Sequence, residues 1–353
     1  MEVSLRHRHN SISAGSADPN YFHHREHRPG VSRPPRWTEE SGGSENSLLS
    51  RYAVCSVHHG SPKHKTNLRK SEALVGLAAR KGSVGPYAIL GELGAGGMGA
   101  VYAARHTSTG QQVAIKFLHS ELARDPEMSR RFRREASILK SLDHPGVVRV
   151  VEVGEDDSGR AYTVMELLQG ETLEARLERG PVTPHEFSAI LNHVATALDA
   201  VHAHGVLHGD LKPANVFLLE EGTKLVDFGT SKVHGLERLT RTGEVSGTPI
   251  YMAPELLTGE GGIDERIDTY ALGILAYRAL TGTVPFTERN PGRLLYQIVM
   301  GDIVPFEERC PSVPPAVAAA VHQAMSSKRD ERFAKASAFA HALAGSCSNE
   351  ASP

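Results

Sequence analysis

The chain has 353 residues and a formal net charge of −2, enough length for one large domain or two small ones around a sizeable core. Its three cysteines, Cys55, Cys310 and Cys347, lie far apart without paired spacing, which argues against a disulfide framework or a zinc site and fits a reducing cytoplasm. No apolar run approaches the roughly 18 residues of a membrane span, and charged and His residues interrupt residues 1–30, so neither a span nor a signal-peptide core is expected.

The first 86 residues are rich in His, Arg, Ser, Pro and Gly and show no sustained period of 2 or 3.6. They hold thirteen Lys and Arg against seven Asp and Glu, a net of +6 that leaves −8 for the remainder. A weakly basic tail can touch nucleic acid or acidic lipid, but this composition predicts a solvated, disordered extension with no nucleic-acid partner. Eight of the nineteen histidines fall here without a recurring ligand spacing, so no metal site is expected among them.

Regular structure is expected from Tyr87. Tyr87 to Leu93 reads as a strand, Ala100 to Ala104 as the returning one and Val113 to Leu118 as a third. Asp125-Pro126 opens a helix with Pro in its first turn. Val147 to Val153 and Tyr162 to Leu167 are two further strands, joined by the turn-rich Glu155-Asp156-Asp157-Ser158-Gly159. After Thr183-Pro184, the residues Phe187, Ile190, Val194, Leu198 and Val201 recur on one helical face. Ile267 to Leu280 is apolar nearly all round, the mark of a buried helix, and Gly282 ends it. Strands first and helices later predict an α+β chain in two lobes, hinged near Glu166 to Gly170.

Within this frame lie four groups of residues suited to chemistry. Leu93-Gly94-Ala95-Gly96-Gly97-Met98-Gly99-Ala100-Val101 has the spacing G-x-G-x-x-G-x-V, which lets backbone N–H groups approach phosphates. It sits between two strands and not before a helix, which disfavours a dinucleotide turn and favours a hairpin over ATP. Lys116 ends an apolar strand whose alternation turns it inward with Ala114. On the following helix Met128, Phe132, Leu139 and Leu142 define a buried stripe, and Glu135 falls on it; a carboxylate on an apolar face needs a partner. The other two groups are His208-Gly209-Asp210-Leu211-Lys212-Pro213-Ala214-Asn215, and Asp227-Phe228-Gly229 after the strand-like Lys224-Leu225-Val226.

Together with Ala253-Pro254-Glu255, this ordered series resembles the eukaryotic-type (Hanks-type) protein kinases, most closely the bacterial serine/threonine branch, from about Tyr87 to about Leu343. The resemblance implies a bilobal kinase-like fold. A small β-rich N-lobe would span 87–166 and a larger α-helical C-lobe 171–343, with residues 344–353 as a short tail. Asp210 would be the catalytic base and Lys212 would neutralise charge developing on the γ-phosphate. Asn215 and Asp227 would bind Mg²⁺, with Mn²⁺ as a possible substitute. Lys116 would pair with Glu135 and position the α- and β-phosphates. Phe217 would lie under adenine, with Val101 and Ala114 above it. Met165 would guard the back of the pocket, and the hinge from Glu166 to Leu168 would bond adenine through its backbone. Leu139, Val150, His208 and Phe228 would stack between the lobes on Asp268, and Glu255 would pair with Arg332.

The activity implied is transfer of the ATP γ-phosphate to Ser or Thr of proteins, with autophosphorylation in trans between self-associated copies, in cytoplasmic signalling. Thr240 and Thr242, near Arg238 and Arg241, are the expected autophosphorylation sites. The sequence is also expected to lack the membrane span and sensor domain that follow the kinase in many bacterial receptor kinases. It departs from the family at Gly209, where an arginine usually couples the catalytic loop to a phosphorylated segment. His-Gly-Asp also occurs in aminoglycoside and choline phosphotransferases, which share the fold but act on small molecules. Lys212, Asp227-Phe228-Gly229 and the platform Gly247-Thr248-Pro249-Ile250-Tyr251-Met252-Ala253-Pro254-Glu255 oppose that alternative. A pseudokinase scaffold is a second alternative, opposed by the presence of every lysine and metal-binding position.

Overall fold

A computed structural model describes residues 82–96, 99–228 and 249–348. Its first half is a six-stranded antiparallel sheet in the order β1-β2-β3-β4-β6-β5. The strands are β1 (Ser83–Val84), β2 (Tyr87–Ala95), β3 (Gly99–His106), β4 (Gln112–Leu118), β5 (Val150–Glu155) and β6 (Ala161–Glu166). Between β4 and β5 come a short helix, α1 (Ser120–Ala123), and the long α2 (Pro126–Ser141). Asp125 caps α2 by accepting the backbone N–H groups of Glu127 and Met128, and Pro126 fills its first turn.

Beyond shifts of a residue or two at strand ends, the structure departs from the sequence expectation as follows. Order begins before Tyr87, because Ser83 and Val84 pair with Ala88 and Tyr87 and bury Val84. Two residues are too few to show a period. Val147 is not in the fourth predicted strand; it makes an isolated parallel bridge to Leu225, and β5 starts at Val150. The buried stripe of α2 is Ser129, Phe132, Ala136 and Leu139, which leaves Met128, Glu135 and Leu142 on its half-buried flank. At the far end the last helix continues past Leu343 to Ser348.

The second half is mainly helical. A small sheet, β7 (Glu171–Thr172), β8 (Val216–Leu218) and β9 (Thr223–Leu225), lies beside α3 (Leu173–Leu177) and α4 (Pro184–His202). Thr183 caps α4 through Glu186 N, and Phe187, Ile190, Val194, Leu198 and Val201 are buried as their spacing predicts. α5 (Pro254–Thr258), α6 (Arg266–Thr281), α7 (Pro291–Met300), α8 (Phe306–Arg309), α9 (Pro315–Ala324) and α10 (Ala336–Ser348) complete it. Of these, the sequence pattern predicts only α6. It is buried from Ile267 to Tyr277 and ends at Gly282 in the left-handed conformation. No helix among the described residues is long and apolar enough to cross a membrane.

Two glycines are required by close backbone approach. A Cβ at Gly99 would fall 1.9 Å from the Phe117 carbonyl oxygen, and one at Gly170 (φ 145°) would fall 2.0 Å from that of Leu218. The first lets β3 close against β4 beneath the glycine-rich turn. The second lets the hinge descend onto β8.

Candidate active site

Asp268, buried on α6, organises the loop before β8. Its Oδ2 accepts the His208 backbone N–H at 2.7 Å and lies 2.8 Å from His202 Nε2, while Oδ1 accepts the Gly209 N–H at 2.8 Å. Burial pushes the Asp268 carboxyl up, but the His202 hydrogen bond and charge, with smaller help from His208 and the Gly209 N–H, hold it below the ordinary range. Gly209 takes φ 69°, which turns the chain at once into Asp210. There Lys212 Nζ lies 2.9 Å from Asp210 Oδ2, and Asn215 Nδ2 donates to the Asp210 main-chain oxygen at 2.8 Å and to Oδ2 at 3.3 Å.

The loop is tied to the end of β9. Val226 N donates to Asn215 O at 3.0 Å, and His208 Nε2 lies 3.2 Å from Val226 O. Burial keeps the His208 imidazole well below its ordinary pKa despite the opposing carboxylates. The ring is therefore neutral near pH 7, with Nε2–H donating to Val226 and Nδ1 accepting the Asp210 N–H at 3.4 Å. Its face lies against Phe228, ring centres 4.7 Å apart. Asp227 follows at φ 57°, a left-handed conformation unusual for a non-glycine residue. Its Oδ1 is 3.0 Å from Lys116 Nζ. Burial pushes the Asp227 carboxyl up, but the Lys116 charge and hydrogen bond outweigh it and keep the group ionised.

These oxygens fit a hard divalent cation. Asn215 donates through its amide nitrogen, which leaves Oδ1 as its ligand atom, and Asp227 offers a carboxylate. No group of three or more His, Cys, Asp or Glu among the described residues could cage a metal by itself. A two-residue donor set suits Mg²⁺, which keeps water and takes phosphate oxygens.

At the end of the β2–β3 pair, Ala95 lies opposite Ala100 and the Gly96 N–H donates to Gly99 O at 2.8 Å. Leu93, Ala114 and Met165 form a buried apolar group on which Val101, Leu168 and Val226 pack. Phe217 is buried on β8 opposite Thr172 and against Gly170.

Residues 87–343 match the Protein kinase domain. The chain belongs to the protein kinase family. It is 39% identical over 261 residues to the serine/threonine-protein kinase PknH of Mycobacterium tuberculosis, covering 73% of this chain and 41% of that one. Pkn1 of Myxococcus xanthus is 38% identical over 269 residues, 73% of this chain and 38% of that one. The chain therefore spans about two fifths of the length of these relatives. Among solved structures, the M. tuberculosis PknI kinase domain superposes with a TM-score of 0.61 at 29% identity, covering 75% of this chain and 97% of that one. The kinase is of the bacterial Hanks type, with the β-rich and helical lobes expected of it.

Within the kinase, Leu139, Val150 and Phe228 join one core with His208 beside them, standing on Asp268 as expected. Glu255 and Arg332 form a buried bidentate pair at 2.7 and 2.8 Å, with the guanidinium 4.8 Å over the Tyr270 ring. Lys116 pairs with Asp227 at 3.0 Å. On α2 Ala136 is buried and Glu135 lies on the half-buried flank, so burial alone does not fix the partner of this carboxylate. Gly97, Met98, Gly229, Thr240, Thr242, Gly247 and Thr248 lie outside the described residues.

Three functional contacts escaped the sequence reading. His202 was not linked to Asp268, 66 positions away. Arg278 bonds both carboxylate oxygens of Glu174 and the Tyr251 hydroxyl. Lys224 bonds Glu166, 58 positions away. A charged residue inside an apolar run is visible at Arg278, but not its partner.

Proposed function

We propose that this chain is a serine/threonine protein kinase. It would transfer the γ-phosphate of ATP to Ser or Thr hydroxyls of protein substrates, and to a second copy of itself, in cytoplasmic signalling. The observation that carries the reading is the Asp210 carboxylate, held at hydrogen-bond distance from both Lys212 and Asn215. Asp210 would take the proton of the attacking hydroxyl, while Lys212 beside it would neutralise charge developing on the phosphoryl oxygens. Lys116 would hold the α- and β-phosphates beneath the glycine-rich turn. Asn215 and Asp227 would hold Mg²⁺, which would supply the remaining charge neutralisation. Mn²⁺, a hard cation with similar oxygen preference, would serve in its place.

The test is phosphate transfer from labelled ATP to a general protein substrate, with phosphoamino-acid analysis, an EDTA arm and Asp210→Ala in parallel. Phosphoserine or phosphothreonine that depends on the metal and on Asp210 is the expected result. Label on an aminoglycoside or choline alone would move the chain to the small-molecule phosphotransferases. Equal incorporation by Asp210→Ala would overturn the assignment of the base.

A further inference from the structure

Glu166 closes β6 and opens the hinge, yet its side chain is not left to solvent. Its Oε1 accepts the Arg149 N–H at 2.7 Å and lies 2.6 Å from Lys224 Nζ, while its own backbone N–H donates to Arg149 O at 3.0 Å. Lys224 Nζ also reaches the Val147 carbonyl at 3.4 Å. The strand carrying Lys224 is laced to the same stretch by backbone bonds, Leu225 N to Gly146 O at 2.8 Å and Val148 N to Leu225 O at 3.0 Å. Both side chains are largely shielded, 17% and 25% exposed, so the pair is not a solvated surface bridge of negligible effect. The Lys224 charge is felt nearby: it adds to burial in pushing the His144 imidazole down.

Three residues beyond Lys224 the same strand delivers Asp227. The clasp therefore joins the two ends of the cleft, the hinge that would face adenine and the carboxylate that would face phosphate and metal. We propose that Lys224 is a positioning residue of the nucleotide site: through Glu166 it holds the hinge in register with Asp227, so that adenine and triphosphate are met at once. This rests on reading the cleft as an ATP site.

The experiment measures equilibrium binding of adenosine and of ATP·Mg²⁺ to the full chain, its Lys224→Met and Lys224→Arg variants, and Glu166→Gln, with melting temperatures for each. In Lys224→Met, adenosine affinity should stay within about twofold while ATP·Mg²⁺ affinity falls on the order of tenfold, a coupling typical of contacting charged groups. KM for ATP should rise with it, and Lys224→Arg, which keeps the cation, should recover most of the loss. Glu166→Gln should reproduce the Lys224→Met pattern. Equal weakening of adenosine and ATP, no weakening of either, or a loss that follows melting temperature and is not recovered by Arg, would overturn the proposal. If the unaltered chain binds no ATP·Mg²⁺, the nucleotide-site reading falls and the clasp with it. If it binds and Lys224→Met binds equally well, only the clasp falls.

Discussion

Lys116 and Asp227 form an ion pair at 3.0 Å across 111 positions of chain, joining the six-stranded sheet to the end of β9. The cation suited to phosphate thus keeps the carboxylate suited to metal ionised. Lys116→Met should remove the orienting cation and lower turnover by about 10²–10³, and Asp227→Ala should do the same by removing a metal ligand. Initial rates with saturating protein substrate check both. Turnover near the unaltered value in either variant would remove that residue from the site.

Asp268 offers a second point of attack, away from the chemistry. Its two oxygens meet His202 and the backbone N–H groups of His208 and Gly209, and an amide in its place presents only one acceptor atom. Asp268→Asn should therefore cost about 3 kcal/mol, the scale of breaking a buried charged network. For a domain of this size that lowers the melting temperature by roughly 6–12 °C. A shift below about 2 °C would mean the loop is held by other contacts.

Acid should reach the same network. Asp227 and Asp268 are both held below their ordinary value of 3.8 in the folded chain. A depressed carboxyl binds protons more weakly folded than unfolded, so its contribution is complete above about pH 4 and is lost as pH falls through the folded value. Urea midpoints measured from pH 7 to pH 3 should be nearly flat at first and then decline steeply below about pH 4. Asp268→Asn should start lower and decline less, and parallel curves would contradict the linkage.

What the sequence made legible was whatever is written locally. The caps Asp125-Pro126 and Thr183-Pro184 predicted helix starts to the residue, because capping needs only neighbours. Motif spacing led to Asp210, Lys212, Asn215 and Asp227, and the fold brings them together through the Val226–Asn215 and His208–Val226 bonds. The phase of α2 is misjudged from Met128 and Leu142, because burial follows Ser129 and Ala136. The helices α9 and α10 escaped because they are alanine-rich, and small residues blur the contrast on which periodicity depends.

The N-terminal boundary gives another test. Val84 is 5% exposed and β1 pairs with β2, while Ile89 N donates to Gly82 O at 3.0 Å. A chain beginning at Gly82 should melt with the full chain, whereas one beginning at Tyr87 should lose about 1.5–2 kcal/mol, the worth of one buried valine. Both should retain turnover within about twofold, since β1 touches no reacting group. Thermal melts of the two chains decide it: equal melting temperatures would show that β1 adds nothing, and loss of activity on removing residues 1–81 would give that segment a role.

Gly209 joins conformation to regulation. Its φ of 69° suits glycine, and a side chain there costs about 1–2 kcal/mol. The resemblance implies an arginine at this position in most of the family, one that answers a phosphorylated loop. In this chain glycine stands there instead, so Thr240 and Thr242, if phosphorylated in trans, should matter little to turnover. Mass spectrometry should find phosphate on both, and the Thr240→Ala/Thr242→Ala double variant should keep most of its activity. Gly209→Arg should lower stability by about 1 kcal/mol and make turnover depend on those threonines. A hundredfold collapse of the double variant in the Gly209 background, about 2.7 kcal/mol on the barrier, would mean that another basic residue has taken the arginine's part.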